Sequence, residues 1–221
     1  MPEWADPVAH YMIHEGLPTT LRIAAYAVVG STLIGVLLGT LLTIRFWPLQ
    51  ALIRLYVEVW RGLPILVTIF IVYFALPTAP VIHHRFGAIT GAAIGLILWG
   101  SAQVAEASRG AVGSIPHEQH EAAAALGFSR LATFVNITLP IGARIAMPSS
   151  INTYVSVLKN TSLLTAIGFA ELTDTAYSLD SQSFKPSEVY FALGATYLLV
   201  VWTLSALLRL VERRLAIPET H

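Results

Sequence analysis

The 221-residue chain contains no cysteine. That excludes a disulfide framework, a thiol nucleophile and a thiolate metal site. Charge is scarce as well: Asp, Glu, Lys and Arg make up 12% of the chain, against about 25% in an ordinary soluble domain. Thirteen basic residues balance thirteen acidic ones, and no basic stripe invites nucleic acid. Lysine occurs only at Lys159 and Lys185, and neither follows a glycine-rich turn. The phosphate-cradling pattern G-x-x-x-x-G-K-[ST] is therefore absent, so any ATP that drives this protein is bound elsewhere. The N-terminal residues include Glu3, Asp6 and Glu15 but no basic cluster, so no cleaved signal peptide is expected. No internal repeat or low-complexity linker divides the chain.

What the chain has instead is apolar residue, 55% of the total. A bilayer core of about 30 Å takes about 20 mostly apolar helical residues. Five runs reach that length, at 23–44, 57–76, 88–107, 141–170 and 189–210. They predict an all-α integral membrane protein of about five spans, forming one transmembrane domain over 19–214. An outer N-terminal segment over 1–18 and a tail over 215–221 flank it. Placing the N-terminus outside puts nine arginines on the inner side: Arg45, Arg54, Arg61, Arg109, Arg130, Arg144, Arg209, Arg213 and Arg214. Arg22, Arg85 and Lys185 remain outside. This asymmetry satisfies the positive-inside rule and places both the C-terminus and the loop over 114–140 in the cytoplasm.

That loop contains "HEQHEAAAALGFSR", beginning at His117. It is too polar for a membrane core and too rich in helix formers for a casual turn. Pro116 suits an early helical turn. Gly127 can take the left-handed conformation that closes a helix. Ser129 can cap a second short helix over 130–137, after which Pro140 is expected to break the run and open the next span. Ala122–Ala125 leave a thin surface that a partner can approach closely. An amphipathic helix lying on lipid is the competing reading, but it calls for a wide apolar face and several lysines.

The spacing Glu121-Ala122-Ala123, three residues, Gly127, nine residues, Ile137, one residue, Leu139-Pro140 resembles the EAA loop of bacterial ABC-importer permeases. Three further stretches agree: "RGLPILVTIF" from Arg61, "AEASRGAVGSIP" from Ala105 and "PSSINTYVSVLKNTSLLTAIGFAEL" from Pro148. Together they are similar to the polar-amino-acid branch, the uptake systems for histidine, glutamine, glutamate, arginine and related solutes. The resemblance runs from about Gly16 to the end of the chain.

It implies a type I importer permease of the bacterial inner membrane, paired with a second permease subunit and two ATPase subunits, and fed by an extracytoplasmic substrate-binding protein. ATP and magnesium would sit on the ATPases, leaving this chain without catalytic residues, cofactor or metal. The EAA helix would be the coupling helix, with Gln119, Glu121, Ala122, Ala123 and Gly127 meeting the ATPase. Some positions depart from the pattern. Leu63 stands where Thr is usual, Thr68 where Gln is usual and Gln103 where Tyr is frequent, while His117-Glu118-Gln119 replaces Lys-Gly-Gln.

Polar groups within spans face a bundle interior or a wet cavity because lipid exposure is costly. Thr68, Gln103, Lys159, Asn160 and Thr161 are therefore the candidates for the substrate pathway. Each also has a structural alternative as helix-to-helix glue or as a local ion pair. Glu106 and Arg109 have the spacing of a local pair, as do Glu58 and Arg61. Gly30, Gly35 and Gly39 suit close packing of the first span. His83 and His84, adjacent in an outer loop, read as solvated rather than metal-binding. An intramembrane hydrolase would need a nucleophile and a base at one depth, yet all seven histidines lie outside the five runs. A secondary transporter or channel subunit fits the composition equally well, and only the EAA spacing argues against it.

Overall fold

The computed structural model describes residues 10–44, 46–79 and 86–215, the last without its side chain. Among these residues every regular element is a helix. A π-helical turn, Met12–Gly16, leads into α1, Leu17–Leu41. Then come α2, Trp47–Gly62, and α3, Ile65–Phe70, which continues through a π turn at Ile71–Ala75 and a 3-10 turn at Leu76–Thr78. The third apolar run forms α4, Ala88–Gly113. Two short helices follow, α5 at His117–Ala125 and α6 at Arg130–Thr133. The next is α7, Leu139–Asn160, and the last two are α8, Leu172–Ser183, and α9, Pro186–Leu215.

Four helical stretches are long and apolar enough to cross a membrane, and a bent fifth, α2 with α3, qualifies as a pair. The expected run at 57–76 is therefore not one straight helix: the chain turns by 111° between α2 and α3. Pro64 is the cause. A residue preceding proline is pushed out of the α region, and Leu63 is extended, with φ −82° and ψ 139°. The first span starts at Met12, well before residue 23. The third continues to Gly113 rather than stopping at 107. His83, His84, Arg45 and Arg85 lie outside the described residues.

Pro140 does not break the fourth run, contrary to expectation. Helix runs without interruption from Arg130 to Ile167, through a π turn at Phe134–Thr138. In three places a π turn ends two residues before a proline: Met12–Gly16 before Pro18, Ile71–Ala75 before Pro77, and Phe134–Thr138 before Pro140. Proline has no N–H to donate, and its ring clashes with the carbonyl four residues back. A wide turn just upstream moves that carbonyl aside; Leu139, for instance, donates to Phe134, five residues back. The helix continues without a break past Pro18 and Pro140, and past Pro148 with no such turn before it. At Pro64 no π turn intervenes, and the chain bends.

The core forms where α1, α3, α4 and α7 meet, around Ile23, Ala27, Ile69, Leu96, Val157 and Leu164. Close approach of α1 and α4 depends on Gly35: a Cβ there would stand 2.6 Å from Val104 Cβ and 2.8 Å from the Ser101 carbonyl. By contrast, no residue in the most apolar stretch of α9 is buried, and Phe191, Leu199 and Trp202 are exposed. This outer surface is apolar, as contact with lipid hydrocarbon requires.

Candidate functional site

The polar loop between α4 and α7 is built from its backbone outward. Pro116, extended at ψ 141°, precedes the first helical residue of α5. At the other end Gly127 adopts φ +80°. Its N–H reaches the Ala124 carbonyl at 3.0 Å, and the Phe128 N–H reaches the Ala123 carbonyl at 3.0 Å. These two bonds form a Schellman closure, which ends a helix by satisfying carbonyls that would otherwise lack partners. The Ser129 hydroxyl oxygen then accepts from the Ala132 N–H at 3.2 Å and caps α6.

Only Ala123 ties the α5 surface to the rest of the chain, being 1% exposed. Gln119, Glu121 and Ala122 face outward. Glu121 has only His117 beside it, 3.4 Å away, with both side chains largely exposed. Leu126 and Leu131, 77% and 72% exposed, flank this polar surface. The result is a short, rigid helix with a thin alanine surface, free polar groups and two exposed leucines.

The C-terminal parts of α2 and α4 border a charged cavity of about 330 Å³, lined by Arg54, Glu58, Arg61, Glu106 and Arg109 among others. Arg109 Nε donates to Glu106 at 3.0 Å, the local pair expected from their spacing. The pair expected between Glu58 and Arg61 is not made. Arg61 Nε instead donates across to Gln103 Oε1 on α4, at 3.2 Å. The bend at Pro64 leaves Arg61 at the end of its helix, facing α4 rather than its own preceding turn.

Among the described residues, no side-chain hydrogen bond joins any two of the five pathway candidates. Thr68 is fully buried and its hydroxyl lacks a partner. Thr161, also buried, donates to the Leu158 carbonyl at 2.7 Å. Gln103 is held by Arg61. Lys159 is exposed and Asn160 partly so. Lys159 ends a stripe on one face of α7, where Ser149, Asn152 and Lys159 are exposed and Ser156 is partly so. Spacings of three and four place them one above another. A polar stripe along a span is costly against lipid, so this face meets water or protein.

At the opposite end of the bundle, Glu171 is fully buried. Its carboxylate accepts from the Thr165 hydroxyl at 2.9 Å, the Thr20 hydroxyl at 3.1 Å and the Tyr197 hydroxyl at 2.9 Å. The N–H groups of Thr173 and Asp174 add bonds of 2.7 and 3.2 Å, so Glu171 caps α8. One side chain thereby binds α1, the 3-10 turn at Thr161–Ile167, α8 and α9.

The sequence profile of the family described as "binding-protein-dependent transport system inner membrane component" matches residues 31–217. The chain belongs to that family. Glutamine transport system permease protein GlnP of Escherichia coli (strain K12) is 35% identical over 206 residues, covering 93% of this chain and 94% of GlnP. Octopine transport system permease protein OccM of Rhizobium radiobacter is 34% identical over 203 residues, covering 89% and 83%. Among solved structures, a chain in the crystal structure of an amino acid ABC transporter with histidines superposes with a TM-score of 0.85 at 28% identity, over 97% of this chain and 99% of that one. The fold is that of a type I ABC importer permease, a translocation component embedded in the membrane.

Two features of the permease escaped the reading of its sequence. Helix α8 is short and only weakly apolar, so no spanning run announced it. Glu171 had been quoted only as part of a motif. Its signal was present: an acidic residue at an N-cap position, three residues after Gly168, which takes φ +71° and ends the preceding turn.

Proposed function

We infer that this permease carries a polar amino acid or similar small polar solute inward, driven by ATP hydrolysis on partner ATPases. The observation that carries this reading is α5: a helix closed by Gly127 that offers Gln119, Glu121 and Ala122 to a groove in another protein, while Ala123, expected among the contact residues, is turned into its own chain. In this reading α5 is the coupling helix, and the exposed Leu126 and Leu131 supply the apolar rim of the contact. The chain itself binds neither ATP nor magnesium. The assembly comprises two permease subunits, two ATPase subunits and an extracytoplasmic binding protein. Similarity to permeases named for glutamine and octopine supports an amino-acid-like solute.

The polar stripe of α7, ending in Lys159 and Asn160, then lines the pathway, with Thr161, Thr68 and Gln103 in reserve around it. Lys159 is the residue suited to a substrate carboxylate. The N-terminus lies outside and α5 faces the cytoplasm, as the arginine asymmetry requires. A cysteine replacing Gln119 should accordingly react with an impermeant maleimide only in inside-out vesicles; reaction in intact cells would reverse the topology.

The functional test is reconstitution of the complete transporter in proteoliposomes with its binding protein. Amino acid is expected to stimulate ATP hydrolysis and to accumulate inside. Lys159→Met should assemble normally and lose uptake. Loss of assembly instead would make Lys159 a structural residue, and uptake without ATP would reject the ABC mechanism.

A further inference from the structure

Beneath α5 two hollows meet. One is an apolar groove of about 270 Å³ among α1, α4, α7 and α9, walled by Val36, Ala143, Ala146, Met147, Leu208 and Val211. The other, about 430 Å³, lies against α5 and α6 and is lined by Thr43, His120, Arg130, Thr133 and Thr138. Val112 and Phe134 line both, so the groove and the polar hollow adjoin. The far end of the groove is closed by a bond from the Thr32 hydroxyl to Tyr154, 2.8 Å long.

The polar hollow is rich in unspent donors. Among the described residues, the Arg130 guanidinium has no ion-pair or hydrogen-bond partner, and neither do the Thr138 hydroxyl and the His120 ring nitrogens. Thr138 is only 5% exposed. No carboxylate lines the hollow. Arginine donates only, in a fork that fits phosphate oxygens. An apolar groove that opens onto such a cluster at the end of the spans matches an amphiphile with an anionic head.

We propose that this double hollow binds an anionic phospholipid. One acyl chain lies in the groove between α7 and α9, and the phosphodiester sits beneath α5 against Arg130, Thr138 and His120. A free anion would leave the groove empty. An extended peptide would bring more N–H groups than the groove's few hydroxyls can satisfy, whereas a helix of a second subunit, its N–H groups already paired, is the competing occupant that the cross-linking below detects. The head group also touches the hollow's α5 wall at Ala124 and its α6-side wall at Phe128, so the lipid braces the coupling helix from the membrane side. The site requires only that the chain lie in a bilayer. Its failure would leave the coupling role of α5 untouched.

The test is native mass spectrometry of the detergent-purified transporter incubated with phosphatidylglycerol or phosphatidylcholine of equal chain length. Wild type is expected to retain phosphatidylglycerol preferentially. Arg130→Gln should cut that preference about fivefold, the share of one basic residue near an anionic head, while Arg54→Gln should leave it unchanged. Ala143→Phe, which fills the groove, should lose both lipids; Val211→Trp at the groove's rim replaces it if the first variant fails to assemble. Equal retention of the two lipids, unaltered by Arg130→Gln, would overturn the proposal. So would competition by inorganic phosphate with the groove variants still binding it, which would identify a free-anion site. Efficient cross-linking of Val211→Cys to the second permease subunit would assign the groove to protein instead.

Discussion

Helices α5 and α8 lie at opposite ends of the bundle and are held in opposite ways. Helix α8 is fastened inside the chain: the buried Glu171 caps it and gathers donors from Thr20, Thr165 and Tyr197. Helix α5 is fastened by almost nothing but its own backbone and the single buried side chain of Ala123. Among the described residues its polar side chains find no bonded partner outside the helix, Glu121 meeting only His117, and its neighbouring leucines are exposed. A finished helix has spent its donors and acceptors within the protein. An unfinished one holds them for a partner. The contrast therefore separates the end that keeps the fold together from the end we propose as the contact with the ATPases.

The comparison breaks most visibly at Glu171. Glu171→Leu removes the acceptor of the buried Thr20 hydroxyl, of the partly buried Thr165 and Tyr197 hydroxyls and of two backbone N–H groups, each costing about 1–3 kcal/mol when buried and unsatisfied. With partial relaxation, the chain should lose roughly 3–5 kcal/mol of stability, and Glu171→Gln should recover part of it. Thermal unfolding of the purified transporter in detergent measures this. A melting point equal to that of wild type would mean that α8 is held by packing of Leu172 and Ala176 alone.

Gly127→Val should cost less, about 1–2 kcal/mol, because a β-branched residue resists φ +80°. Nothing lies within 4 Å of the Cβ it would add, so the whole penalty is backbone strain. The variant should assemble and yet lose substrate-stimulated ATP hydrolysis, whereas Gly127→Asn, which tolerates the left-handed region, should keep most of it. Equal activity in the two variants would show that the Schellman closure is not what positions α5.

Glu121→Lys sharpens the contrast at its weak end. The Glu121 side chain is 71% exposed, so the melting point should not move. Stimulated ATP hydrolysis should fall at least about tenfold, because a reversed charge is buried when the partner groove closes on it. Full stimulation would remove Glu121 from the contact and restore the reading of α5 as a helix lying on lipid.

The sequence by itself determined the membrane class, since a 12% charged chain with five long apolar runs has no other stable arrangement in water or lipid. It also determined the ends of α5. Gly127 and Ser129 act through local backbone chemistry, which spacing reveals, and the pair Glu106–Arg109 lies within one helical turn. Only the tertiary structure decided what depends on residues far apart in the chain. Glu171 meets Thr20 across more than half the sequence. Arg61 chooses Gln103 over Glu58 because a 111° bend turns it toward α4. Pro140 and Pro148 both lie inside continuous helix, the second with no π turn before it, while the chain bends at Pro64, where Leu63 is extended. A proline announces a missing donor, but whether the helix can open one turn earlier depends on how its neighbours pack around it.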